Sequence, residues 1–202
     1  MNEAFQKKPV AALFVRPDSV YKQMPGIDAW DELRDARRYK GPHPVVAHPP
    51  CRLWSCMKHF STAPLSEKSL AYVAIKAVRS FGGVLEHPKG SSLWKEAPLP
   101  LVGELDGWGG YTIEVEQFWF GHKAEKKTLL YIVGCPKERL PTMPVRFGEP
   151  THVIDRPGRT RKKHRPNSAG YKPWVSKSER EHSPPAFAAW LIEVARRCEP
   201  VK

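Results

Sequence analysis

Apolar residues in this chain come in short runs that stop at proline or glycine, and the spacing inside each run predicts a strand or a helix. Residues 10–15 (VAALFV), 45–48 (VVAH) and 84–87 (VLEH) are too short for helices and read as buried strands. Pro49-Pro50 and Pro88 close the second and third, because proline donates nothing to a ladder. Residues 66–81 carry Leu70, Val73, Ala77, Val78 and Phe81 on one helical face, with Ser66 as the cap and Gly82-Gly83 as the stop. The alternation of 111–120 (YTIEVEQFWF) and the apolar run 128–134 (TLLYIVG) predict two more strands. Residues 16–24 read as loop and 29–39 as a charged, helix-compatible segment. Near the C-terminus, Ser183 is placed to cap and Pro184 to open a helix whose apolar face is Phe187, Trp190, Leu191 and Val194. Strands that alternate with a helix and break into polar loops predict an α/β three-layer sandwich with a mainly parallel sheet. In such sheets ligands gather at the carboxyl ends of the strands.

The 202 residues suffice for one domain with its own core. Residues 1–150 form that expected core. Residues 151–176 change character: the stretch DRPGRTRKKHRPNSAGYKP is basic, has little a core can use, and reads as a flexible arm. Residues 177–202 then supply a helix that packs back. Charge narrows the partners. Lys and Arg number 33 against 21 Asp and Glu, a net +12, and such an excess favours a polyanion whose counterions it displaces. Arg159, Arg161, Lys162, Lys163 and Arg165 are the candidate phosphate contacts, giving affinity without reading sequence. No apolar run is long enough to cross a bilayer, and the N-terminal apolar stretch is too short for a secretory signal. The cysteines at 51, 56, 135 and 198 show no disulfide spacing, so a cytoplasmic chain with reduced thiols is expected.

Three segments carry the candidate chemistry: HPPCRLWS around Cys51, VLEHPKGSSLW around Glu86, and FGHKAEKKTLLYIVG around residues 120–134. In order and spacing they resemble the cytosine-5 DNA methyltransferase family over roughly residues 45–134. They are similar to its Pro-Cys loop, to the strand end bearing its glutamate, and to the basic turn entering an apolar strand. Variants of the third motif with Lys-x-Thr occur in phage and prophage members, and SPPAFAAWLIEVA is similar to the family's closing helix. The resemblance implies a truncated Rossmann-like methyltransferase fold and a DNA substrate, double- or single-stranded. It also implies a catalytic set of Cys51, Glu86 and Lys127, the last matching the family's motif arginine, with Lys126 next. Pro50, Arg52 and Ser55 on the first segment, His87 on the second, and Lys123, Lys126 and Thr128 on the third are the implied substrate contacts.

Those residue types suit pyrimidine chemistry. C5 is a poor nucleophile until something adds across the 5,6 double bond, and a thiolate at Cys51 is soft enough to add at C6. The charge that develops at O2 and N3 is met by a lysine or arginine and by a Glu86 carboxyl sharing a proton with N3. A base inside a duplex must be flipped out first.

The resemblance leaves one half open. The family binds S-adenosylmethionine through a Gly-rich loop after its first strand and an acidic residue ending its second. Here that strand runs into RPDSVYKQMPGID, which has one glycine. Either the donor is held in another way, with Arg16, Asp18, Ser19 and Tyr21 forming a different polar pocket, or the reaction dispenses with it. Rival readings are an inactive methyltransferase-derived protein that binds DNA or counters host defence, and a small-nucleotide enzyme with thymidylate-synthase-like chemistry. A metal centre at His48, Cys51, Cys56 and His59 matches no standard zinc spacing.

Overall fold

The computed structural model describes residues 8–56, 58–154 and 170–200. Six strands form one sheet: β1 (Val10–Leu13), β2 (Ile27–Trp30), β3 (Val45–Ala47), β4 (Gly83–Pro88), β5 (Tyr111–Glu116) and β6 (Lys127–Val133). Their spatial order is β2-β1-β3-β4-β6-β5. The helices are α1 (Leu70–Phe81), α2 (Leu93–Glu96), α3 (Lys177–Glu181) and α4 (Pro185–Arg196).

The sheet is mixed, which corrects the mainly parallel sheet expected above. β1 pairs parallel with β2 and β3, and β3 with β4, whereas β6 runs antiparallel to both β4 and β5. The reason is local. Residues 117–126 are too few for a crossover, so β5 and β6 close as a hairpin, and β6 is the strand that docks on β4. Residues 29–39 also differ from the helix-compatible reading. They hold the end of β2 and then turns in which Asp31 accepts from the Arg34 amide (3.1 Å) and Asp35 from the Arg37 amide (3.1 Å). Such side-chain bonds compete with a helix. Ser66 lies in a 3-10 turn ahead of α1 and caps nothing, and Pro184 rather than Ser183 holds the N-cap of α4.

Alternation along the strands divides the core. Val10, Ala12, Val46, Val84, Leu130 and Ile132 face α4, which contributes Phe187, Trp190, Leu191 and Val194. Ala11, Leu13, Val45, Ala47, Leu85, Tyr131 and Val133 face α1, which contributes Ala71, Ala74, Ile75 and Val78. Each large side chain buried this way stabilises the fold by about 1.5–3 kcal/mol. Gly83 keeps β3 and β4 in register, since a Cβ there would sit 2.0 Å from the Val45 carbonyl oxygen. Among the described residues, no helix is long and apolar enough to cross a membrane.

Candidate active site at the carboxyl edge of the sheet

The period-2 alternation continues past the strand ends and sorts the polar residues found there. Glu86 follows Leu85 and so projects to the α4 side with Val84, whereas His87 projects to the α1 side. On the same count, His48, Lys126, Thr128 and Gln117 share the α4 side. Lys127 belongs to the other set.

The α4-side residues form one hydrogen-bonded chain. The Tyr21 hydroxyl lies 2.9 Å from His48 Nε2, and His48 Nδ1 lies 3.0 Å from Glu86 Oε2. The other Glu86 oxygen is met by the Thr128 hydroxyl and, at 3.4 Å, by Gln117 Nε2. Thr128 Oγ1 is also 2.9 Å from the His87 carbonyl oxygen, so its single hydrogen has two acceptors within reach and serves one at a time. Since a carboxylate only accepts, His48 carries a proton on Nδ1; its Nε2 takes the Tyr21 hydrogen when the ring is neutral. Burial alone would raise the Glu86 carboxyl. The His48 bond and charge, the Lys126 ammonium and the Thr128 bond outweigh it and bring the pKa down to about 2. Resting Glu86 is therefore a carboxylate and holds no proton of its own to share, unlike the carboxyl expected from the sequence.

Cys51 sits on the loop that Pro49 and Pro50 lead out of β3, half-buried, with its thiol free. Burial and the Glu86 charge push that thiol up, while the Lys126 ammonium pulls it down. Lys126 is itself lowered by burial and supported by Glu86 and Cys51, and its Nζ donates to the His182 carbonyl at 3.0 Å. The cation coupled to the Cys51 thiol is thus Lys126. Lys127, favoured by the motif match, is exposed and turned away. One position in the sequence reverses the direction of a strand side chain, and the motif comparison alone had no means of seeing that.

His87 is fully buried. Its ring approaches the Pro50 carbonyl and packs edge-on to Trp94, and neither ring nitrogen completes a hydrogen bond of good geometry. From there its ring lies against the Pro-Cys loop, and its burial sets it apart from the exposed surface of the site. Arg52 is held by the Glu67 carboxylate, Ser55 Oγ donates to the Arg52 carbonyl at 3.3 Å, and Lys123 pairs with Glu179 at 3.3 Å on the surface. Thr128 is buried and positions Glu86. The five phosphate contacts expected at Arg159, Arg161, Lys162, Lys163 and Arg165 lie outside the described residues. Among the described residues no group of His, Cys, Asp or Glu is arranged to hold a metal, and His48 is committed to Tyr21 and Glu86. A groove of about 540 Å³ lies elsewhere, against α1, lined by Tyr72, Arg79, Pro98 and Trp108.

The switch point of the sheet lies between β1 and β3, where the chain has turned to β2 on one side and returns on the other. Here the residues do not fit S-adenosylmethionine, the donor implied by the resemblance. Phe14 leaves β1 with φ 59°, and a 3-10 turn at Val20–Gln23 lies over the strand ends. Tyr21 from that turn is 2% exposed and reaches His48, while Lys22 pairs with Asp31, the acidic residue that follows β2. Residues 14–25 contain no glycine that would let backbone approach a cofactor.

His48 and Gln117 were not read from the sequence as partners of Glu86, though the alternation of VVAH and of the 111–117 stretch would have put both on its side. Nothing in the sequence pairs Tyr21 with His48. No protein-family model matches the chain, and neither does any curated protein sequence.

Proposed function

We propose that this chain is a DNA-modifying enzyme of cytosine-5 methyltransferase type, acting on a pyrimidine base through a covalent bond between Cys51 and C6. The observation that carries the reading is the convergence of Cys51, the Glu86 carboxylate and Lys126 at the ends of adjacent strands, with His48, Thr128 and Gln117 holding the carboxylate in place. Sheet order supports it too. β2-β1-β3-β4 is the doubly wound order 3-2-1-4-5 with one outer strand removed, as a truncated Rossmann-like methyltransferase fold requires. The +12 charge supports DNA over a free nucleotide, and a cytoplasmic, phage- or prophage-encoded enzyme fits the Lys-x-Thr variant of the third motif.

Lys126 stabilises the Cys51 thiolate. The sulfur bonds to C6, the electron pair of the 5,6 double bond moves into the ring, and C5 becomes nucleophilic. As negative charge builds up on O2 and N3, N3 takes a proton from solvent, and Glu86, ionised and fixed by its donors, accepts the hydrogen bond from the N3–H so formed.

The test is a denaturing gel of the protein incubated with DNA containing 5-fluorocytosine or 5-fluorouracil, with and without S-adenosylmethionine. A covalent complex absent from Cys51→Ser is expected. No complex with either base, together with no exchange of the C5 hydrogen with solvent, sinks the reading and leaves a DNA-binding protein without this chemistry.

A further inference from the structure

In an open α/β sheet the crevice outside the strand ends, at the switch point, is where a nucleotide-type ligand binds, and an acidic residue about 20 positions on holds its ribose. Both features are recognisable in this chain, and both are taken by its own side chains. Tyr21 crosses from the loop after β1 to His48 at the end of β3, its hydroxyl 2.9 Å from Nε2 and its ring centroid 5.3 Å from the imidazole. It is part of the core that includes Val46, Phe187 and Leu191. Asp31 stands where the ribose carboxylate belongs and is 5% exposed, with Lys22 on one oxygen and the Arg34 amide on the other. The turn that brings them is closed by Ser19 Oγ at the Tyr21 amide (3.4 Å) and by the Met24 amide at the Tyr21 carbonyl (3.3 Å). Beyond it, Arg16 pairs with Asp18 and Glu181, and Asp18 with His182, so the β1 loop is also tied to the segment that leads into α4.

From this we infer that the switch-point crevice is sealed by Tyr21 and Lys22, takes no nucleoside-type methyl donor, and leaves the Cys51 site to react without one. The inference rests on the proposed reading of Cys51. Without a donor the simplest complete cycle uses water. The thiol proton leaves to solvent, sulfur bonds to C6, and C5 takes a proton from water. Loss of a proton from C5 with cleavage of the S–C6 bond restores the base and the thiolate. The net result is exchange of the C5 hydrogen with solvent, and any other group at C5 must arrive already attached to the substrate.

Two measurements on the full chain test this. Titration calorimetry with S-adenosylmethionine is expected to give no saturable heat up to about 1 mM. DNA incubated with the protein in deuterium oxide is expected to gain deuterium at a pyrimidine C5, by mass spectrometry of the released nucleosides, at a rate that S-adenosylmethionine leaves unchanged. Saturable binding of the donor overturns the inference, as does a fluoropyrimidine adduct that forms only when the donor is added. The latter outcome keeps Cys51 as nucleophile. Failure of both exchange and adduct, with and without donor, overturns the underlying reading instead.

Discussion

The carboxyl edge of the sheet is built in two contrasting halves. At the ends of β3 and β4 and the start of β6, charged and titratable groups crowd together: Cys51, His48, Glu86 and Lys126, each displacing or holding the charge of another. At the ends of β1 and β2, the polar groups satisfy one another and the space is filled by a tyrosine. The first half keeps a thiol half-exposed beside an ionised carboxylate, an arrangement with work left to do. The second half is complete without a ligand. The same edge thus holds a candidate reactive site and a filled piece of core, joined by the Tyr21–His48 bond and, through His182, by the Asp18 and Lys126 contacts.

The contrast is broken most severely at Cys51. Cys51→Ser is expected to abolish the fluoropyrimidine adduct and lower turnover by at least ~10³-fold, with melting temperature unchanged. In the filled half the damage should fall on stability. Tyr21→Ala empties a core position and is expected to cost about 3–5 kcal/mol in urea unfolding, the range for losing a large aromatic. If the crevice were an open ligand site, that cost would be far smaller.

Acid should dissect the reactive half in two stages. His87 is lowered to about 4, chiefly by burial, from an ordinary 6.5. The unfolded state therefore takes up a proton below pH 6.5 that the folded state refuses until about 4, and stability declines across that window by about 3 kcal/mol. Glu86 runs from an ordinary 4.5 to about 2, so the stability it contributes is fully present above 4.5 and is lost as pH falls towards 2, again about 3 kcal/mol. Urea denaturation at pH 7, 5 and 3 reads both stages, and Glu86→Gln should remove the lower one. A stability unchanged between pH 7 and 5 would contradict the buried, uncharged His87.

The two lysines of the third motif give the finest distinction. Lys126→Met is expected to slow turnover by ~10²-fold and to move the alkaline rise of the rate to higher pH, because the ammonium that lowers the Cys51 thiol is gone. Lys127→Ala should stay within about 2-fold of the parent, as an exposed side chain on the other face. The opposite ranking would restore Lys127 as the catalytic lysine.

Much of this was written in the chain. Prolines at 49, 50 and 88 and glycines at 82 and 83 marked where strands and the first helix end, because those residues act through their own backbone. Cys51 and Glu86 stood out because strand ends followed by proline are recognisable locally. The direction of a side chain was legible in principle too, since alternation separates Glu86 from His87 and Lys126 from Lys127. It needs the strand to be in register with its neighbours before it means anything. What no stretch of sequence contained was the hairpin docking of β6 on β4, which brings Thr128 and Lys126 to Glu86. Nor did it contain the reach of Tyr21 across the switch point to His48, or of Lys22 to Asp31. Those contacts join residues brought together only when the sheet assembles, so tertiary structure alone decided which half of the edge was left open.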